Sequence, residues 1–131
     1  MTTSRIATGL AIVGAAFILY IGISYLVAPE STASSFGLPA WPTGDADGFL
    51  NVKGVRDTVT GILVIALLVA KQRFALGVTL LAVALIPVGD MLTVLARHGS
   101  TAAAFGIHGL TAALVALTGV LLVRERRSVT A

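Results

Sequence analysis

The chain has 131 residues, of which 56% are hydrophobic and only 11% charged. Soluble domains usually carry about 25% charged residues, so the composition points to a bilayer rather than to water. Nine Lys and Arg against six Asp and Glu set a pI of ≈ 10.0. No basic patch interleaves with aromatics, which argues against nucleic acid as a partner. The absence of cysteine excludes disulfides, thiolate nucleophiles and iron–sulfur ligation.

Four apolar runs follow one another: Ile6 to Ala28, Gly48 to Ala70, Phe74 to Ala96 and Thr101 to Val123. At 1.5 Å per residue each reaches about 30 Å, the thickness of a hydrocarbon core. Backbone amides cannot be left bare in lipid, so each run is expected to be a helix. The first run is longer than the apolar stretch of a signal peptide. The expected fold is all-α: one domain over residues 1–131, an integral membrane antiparallel four-helix bundle with helices at about 6–28, 48–70, 74–96 and 101–123.

The second and third links, Lys71-Gln72-Arg73 and Arg97-His98-Gly99-Ser100, are short and force antiparallel neighbours. The first link, residues 29–47, is long. Pro29 stops the first helix, and Ser31 to Phe36 is expected to form a helical turn ended by Gly37. Leu38-Pro39-Ala40-Trp41-Pro42 reads as an interfacial segment with Trp41 at headgroup level. Asp45 or Asp47 is expected to cap the second helix. Arg5, Lys71, Arg73, Arg124, Arg126 and Arg127 fall on one side, and Arg97, with Lys53 and Arg56 if they count as loop, on the other. That asymmetry predicts both termini on the cytoplasmic side of the cell (inner) membrane and the long link outside.

The informative residues are polar ones within the runs. A charge at the centre of a spanning helix costs roughly 2.5–3.5 kcal/mol on insertion scales. The chain keeps Lys53, Arg56 and Asp57 in the second run, Asp90 in the third and His108 in the fourth. From the outer helix ends, Asp90 lies about 9 Å deep, His108 about 10 Å, and Lys53 and Asp57 about 9 and 15 Å. Tyr20 and Ser24 in the first run lie about 12 and 6 Å deep. The cytoplasmic halves are nearly pure Leu, Val, Ile, Ala and Gly.

At 100° per residue, Lys53, Arg56, Asp57 and Thr60 fall on one side of the second helix, with Asn51 opposite Lys53. Asp90, Thr93 and Arg97 share a face, as do His108 and Thr111, and Ala16, Tyr20 and Ser24. Pro87 frees the carbonyl of Val83 and predicts a kink beside Asp90. The bland alternatives are snorkelling cations, a structural charge clamp and an interhelical histidine hydrogen bond. A metal site from His108, Asp57 and Asp90 is disfavoured by two cations on the same face.

Phe49-Leu50-Asn51-Val52-Lys53-Gly54-Val55-Arg56-Asp57 and Leu85-Ile86-Pro87-Val88-Gly89-Asp90 carry a resemblance. Gly37-Leu38-Pro39 and His108-Gly109-Leu110-Thr111 extend it. With these segments the chain resembles domain-of-unknown-function family 4267, small bacterial and fungal integral membrane proteins. The resemblance implies four helices and a site built from Asn51, Lys53, Arg56, Asp57, Asp90 and His108. A more distant, architectural likeness is to DoxX-type four-helix membrane proteins, and architecture alone gives no function.

Three functions are compatible with these residues. The first is a binding site or cofactor-independent enzyme for a lipophilic small molecule from the outer leaflet. Asp57, Asp90 and His108 would move protons, with Lys53, Arg56, Asn51, Tyr20, Ser24 and Trp41 lining the site. Isomerisation, cyclisation or epoxide opening suits such a set. The second is a proton- or cation-coupled carrier, which would need a homodimer to enclose a path. The third is a non-catalytic accessory subunit that uses glycine-rich helix faces to hold a partner.

Overall fold

The computed structural model describes residues 2–129, with side chains through Glu125. Every element among the described residues is helical. In chain order these are α1 (Thr3–Val27), α2 (Pro29–Ala33), a 3-10 turn (Gly44–Asp47), α3 (Gly48–Val69), α4 (Arg73–Val83), α5 (Leu85–Ala96), α6 (Thr101–Ala103), a π-helical segment (Ala104–Gly109) and α7 (Leu110–Val129). Three continuous stretches, Thr3–Val27, Arg73–Ala96 and Thr101–Glu125, are long and apolar enough to cross a membrane. At 22 residues α3 matches them in length, but Lys53, Arg56 and Asp57 lie in its first half.

The helices pack through small residues. Ala7, Ala11, Ala15, Gly22 and Tyr25 form the buried stripe of α1, and Gly54, Asp57, Gly61 and Val64 that of α3. A Cβ on Gly22 would lie 2.6 Å from the Thr58 nitrogen and 2.9 Å from the Gly54 carbonyl, so only glycine allows this approach. Farther along the pair, Gly61 faces Leu19 and Ile18. Gly77 of α4 and Gly119 of α7 make a second close crossing. Large side chains such as Val13, Phe17, Val59, Ile62 and Leu85 point outward. Apolar bulk outside and small residues inside is the arrangement lipid favours, because close backbone approach replaces the hydrophobic effect as the source of packing.

Near the termini, Ala7, Ala11, Ala15, Val64, Leu76, Leu80 and Leu122 form a dry core. Just beyond it Arg73 ties three helices together. Its guanidinium donates to Glu125 at 2.6 and 2.9 Å, to the Thr8 hydroxyl at 2.9 Å and to the Ser4 carbonyl at 3.2 Å. The side chains of Arg126 and Arg127 lie outside the described residues.

Local chemistry sets the breaks. Ala28, non-helical ahead of Pro29 at φ −141° and ψ 67°, ends α1, and the proline then starts α2 at its first position. The helical turn in the long link therefore covers Pro29–Ala33 rather than starting at Ser31, and Gly37 closes it at φ +104°. Asp47 stands at the N-terminus of α3, yet neither it nor Asp45 caps: the 3-10 turn runs straight into the helix, and Asp47 keeps helical dihedrals. The short turns end α3 and α5 with Lys71 and His98 in the left-handed region. In each, the next amide reaches back five residues, Gln72 to Leu67 and Gly99 to Val94, the pattern that satisfies the last carbonyls of a helix. Pro87 offers no N–H to the Val83 carbonyl, and α4 gives way to α5 at Ala84.

Candidate functional site

The polar end lies about 26 Å along α1 from the Arg73 clamp, taking Thr8 to Tyr25 as 17 residues of helix. On α3, Lys53 and Asp57 are one turn apart. The Lys53 ammonium donates to Asp57 Oδ2 at 2.8 Å. The same ammonium stands 5.2 Å from the Tyr25 ring centroid and 5.5 Å from that of Phe36, within cation–π range of both. A buried carboxylate is tolerable only when paired, and Asp57, 7% exposed, has its cation beside it.

Opposite them, α5 presents Asp90 and the π segment presents His108. Asp90 Oδ2 is 3.9 Å from His108 Nδ1. His108 is also 7% exposed. Its other nitrogen, Nε2, lies 2.8 Å from the Phe36 carbonyl. A carbonyl only accepts, so Nε2 carries the hydrogen and Nδ1 is the nitrogen left facing Asp90. Lys53 and Asp57, of opposite charge, also lie near enough to act on the Asp90 carboxyl, so the two pairs are electrostatically linked.

The π segment sets the imidazole's direction. One residue more per turn rotates His108 relative to a regular helix, and such bulges recur at functional sites. The long link is stitched over the charges by two consecutive carbonyls. Phe36 accepts from His108, and Gly37 accepts from the Ser100 amide at 2.8 Å. The Phe36 ring packs on the imidazole with centroids 4.4 Å apart. Between the link and helices α1 and α3 lies a cavity of ≈ 120 Å³, lined by Tyr25, Ala33, Phe36, Trp41, Leu50 and Lys53, among others.

The structure thus brings Lys53, Asp57, Asp90 and His108 together and sets Trp41 at the adjoining cavity. It does not bring Arg56, Tyr20 or Ser24 to them. Arg56 is exposed and forms no ion pair among the described residues, being turned away from the buried stripe of α3. Tyr20 is 69% exposed. The Ser24 hydroxyl donates to the Tyr20 carbonyl of its own helix at 2.7 Å. Asn51 faces α1, donating to the Tyr25 carbonyl at 3.0 Å, and so holds α3 against the end of α1. Among the described residues no group of three or more His, Cys, Asp or Glu is placed to hold a metal ion.

Two participants escaped the reading of the sequence. Tyr25, not Tyr20, is the aromatic of α1 at the site, and the small-residue stripe at Ala7, Ala11, Ala15 and Gly22 was the signal that marks its face. Phe36 acts mainly through its carbonyl, for which no sequence signal exists.

Fold and site together define a class: an all-helical protein with helices long and apolar enough to cross a membrane and with charged side chains buried among them. Within that class the chain belongs to the family described as domain of unknown function (DUF4267), whose model matches residues 15–122. The matched stretch contains Asn51, Lys53, Arg56, Asp57, Asp90 and His108. No curated protein and no solved structure matches the chain, so no link to DoxX-type proteins emerges.

Proposed function

We propose that the protein crosses the cell (inner) membrane four times as an antiparallel bundle, and binds a small uncharged lipophilic molecule at the end away from its termini, beside a proton-transferring pair. The carrying observation is that two ion-pairing couples, Lys53–Asp57 and Asp90–His108, come from three separate elements and meet beside an apolar cavity.

Several features support the four-span arrangement. Gly22 faces Gly54 while Leu19 faces Gly61, so α1 and α3 run in opposite senses. The charges of α3 are accommodated: Asp57 is paired with Lys53, and Arg56, about 12 Å from the start of α3, has the length to snorkel toward headgroups. Arg5, Lys71, Arg73 and Arg124 gather at the end that carries the termini, which favours that end as cytoplasmic.

The ligand class follows from charge and size. Lys53 is the one charged side chain lining the cavity, and its ammonium is already paired with Asp57, so a charged ligand would meet no free counter-charge among apolar walls. A cavity of ≈ 120 Å³ is somewhat smaller than the engineered apolar cavity of about 150 Å³ that holds benzene. A through-path is disfavoured by the dry core of Ala, Val and Leu below the site.

Trp41, the chain's one tryptophan, lines the cavity and reports on it. Bromobenzene is uncharged and aromatic, can seat its ring in a cavity that is open on one side, and quenches indole by contact. In lipid nanodiscs, Trp41 fluorescence should show a saturable quenching component, and Ala33→Leu, which fills the cavity, should remove it. Quenching that rises linearly and is identical in the variant would refute the binding site.

A further inference from the structure

We infer that the exchangeable proton of the site belongs to the Asp90–His108 pair, entering and leaving at imidazole Nδ1, and that the Phe36 carbonyl fixes the tautomer this requires, while Asp57 is a fixed counter-ion. This rests on the acid–base reading above and assigns its roles.

The two carboxyls differ in their surroundings. Asp57 receives a charge-assisted hydrogen bond of 2.8 Å from Lys53, and its side chain is 10% exposed. Lys53 is itself held between Asp57 and the rings of Tyr25 and Phe36. Moving a proton onto Asp57 would strand that ammonium without its counter-charge. Asp90 has a side chain 29% exposed and accepts no side-chain hydrogen bond among the described residues. Its nearest ionisable neighbour is a ring nitrogen rather than an ammonium.

The histidine is equally asymmetric. Nε2–H is committed to Phe36, and that bond survives whether or not the ring is charged, because imidazolium keeps both N–H groups. Nδ1 is a bare lone pair in the neutral ring. A gap of 3.9 Å is too long for a direct hydrogen bond, so the transfer requires the partly exposed Asp90 carboxyl to rotate toward the ring. Transfer from the Asp90 O–H to Nδ1 breaks one O–H bond, forms one N–H bond and leaves a carboxylate beside an imidazolium. The reverse restores the neutral pair. The groups facing this proton are Asp90 from α5, Lys53 and Asp57 from α3, Tyr25 from α1 and the Phe36 carbonyl from the link.

The test is ring ¹⁵N spectroscopy of the full chain in nanodiscs with labelled histidine, where exposed His98 serves as the solvent reference. At neutral pH His108 should be the Nε2–H tautomer. Acid should move the Nδ1 signal and leave Nε2 protonated throughout. Asp90→Asn should displace the Nδ1 signal far more than Asp57→Asn, which acts on it only through space. If Asp57→Asn fails to fold, the double change Lys53→Met with Asp57→Leu removes two opposite charges together, and the Nδ1 signal should stay near its place. An Nδ1–H tautomer, or an equal displacement on removing Asp57, overturns the assignment. Absent bromobenzene quenching with these spectra as expected would remove the ligand site and keep the proton assignment.

Discussion

His108 and Phe36 meet twice, through a 2.8 Å hydrogen bond to the Phe36 carbonyl and through rings whose centroids are 4.4 Å apart. The long link is therefore part of the site rather than a tether between helices. Phe36 also stands 5.5 Å from the Lys53 ammonium, so one link residue touches both charged pairs. Anything that lifts the link frees the histidine and exposes the lysine together.

Gly37 is the point at which the link is most easily lifted. Its φ of +104° disfavours any side chain, and an added Cβ would meet Ala103 Cβ at 2.6 Å. Strained backbone of this kind costs of order 1–3 kcal/mol. Gly37→Ala should lower unfolding stability by about that amount and cancel the saturable bromobenzene quenching at Trp41. Thermal unfolding in mild detergent checks the first effect. Unaltered stability together with unaltered quenching would show that the docked link is dispensable.

The Lys53–Asp57 pair gives a non-additive prediction. Removing one partner of a fully buried pair costs about 3–5 kcal/mol because a bare charge is left behind. Lys53 keeps 29% side-chain exposure, so Lys53→Met should cost less, on the order of 2 kcal/mol. Adding Asp57→Leu should recover most of that loss. A double-mutant cycle by denaturant titration measures the coupling, and simple additivity of the two losses would contradict the pairing.

Gly22 is predicted to govern how α1 meets α3. Its virtual Cβ lies within 2.9 Å of backbone atoms of Thr58 and Gly54, which cannot rotate away. Gly22→Ala should push the helices apart near Asn51, stretch the Asn51–Tyr25 bond and lower stability by roughly 1–3 kcal/mol, as overpacking does. Gly9→Ala, whose Cβ would meet nothing within 4 Å, is the matched control and should be neutral. Equal effects of the two changes would argue against the close crossing.

Much of the helical layout was legible because lipid imposes it: a run that must bury every backbone amide over a fixed thickness leaves little choice of structure. Pro87 likewise marked the break at Ala84 through simple loss of a donor. Charged residues stood out against an apolar background, so Lys53, Asp57, Asp90 and His108 could be picked by type and depth alone. Helix facing was harder. In water the buried face is the apolar one, but here large apolar residues face outward and Ala and Gly face in, so the polar face drawn through Tyr20 and Ser24 was the wrong side of α1. Arg56 illustrates the same limit, since 60° of rotation from Lys53 separates a half-buried, paired cation from an exposed one. A contribution made by a backbone carbonyl, as at Phe36, leaves no residue type to read.

The Arg73 clamp supplies a test of whether the two ends are independent. Its planar fork makes two hydrogen bonds to Glu125 while still reaching Thr8 and Ser4, and so ties α4 to both α7 and α1. Lysine keeps the charge but offers a point rather than a fork, and cannot reproduce bidentate geometry. Both side chains of the Arg73–Glu125 pair are partly exposed, 31% and 21%, which limits the loss for Arg73→Lys to about 1 kcal/mol. The site lies about 26 Å away along α1, and Arg73→Lys leaves the charge at this end unchanged. Arg73→Lys should therefore lower the unfolding midpoint while leaving both the His108 ¹⁵N spectrum and the Trp41 quenching curve superimposable on those of the unaltered protein. A displaced Nδ1 signal in this variant would mean that the helices transmit strain from one end of the protein to the other, and the proton site would have to be treated as coupled to the end that carries Arg73.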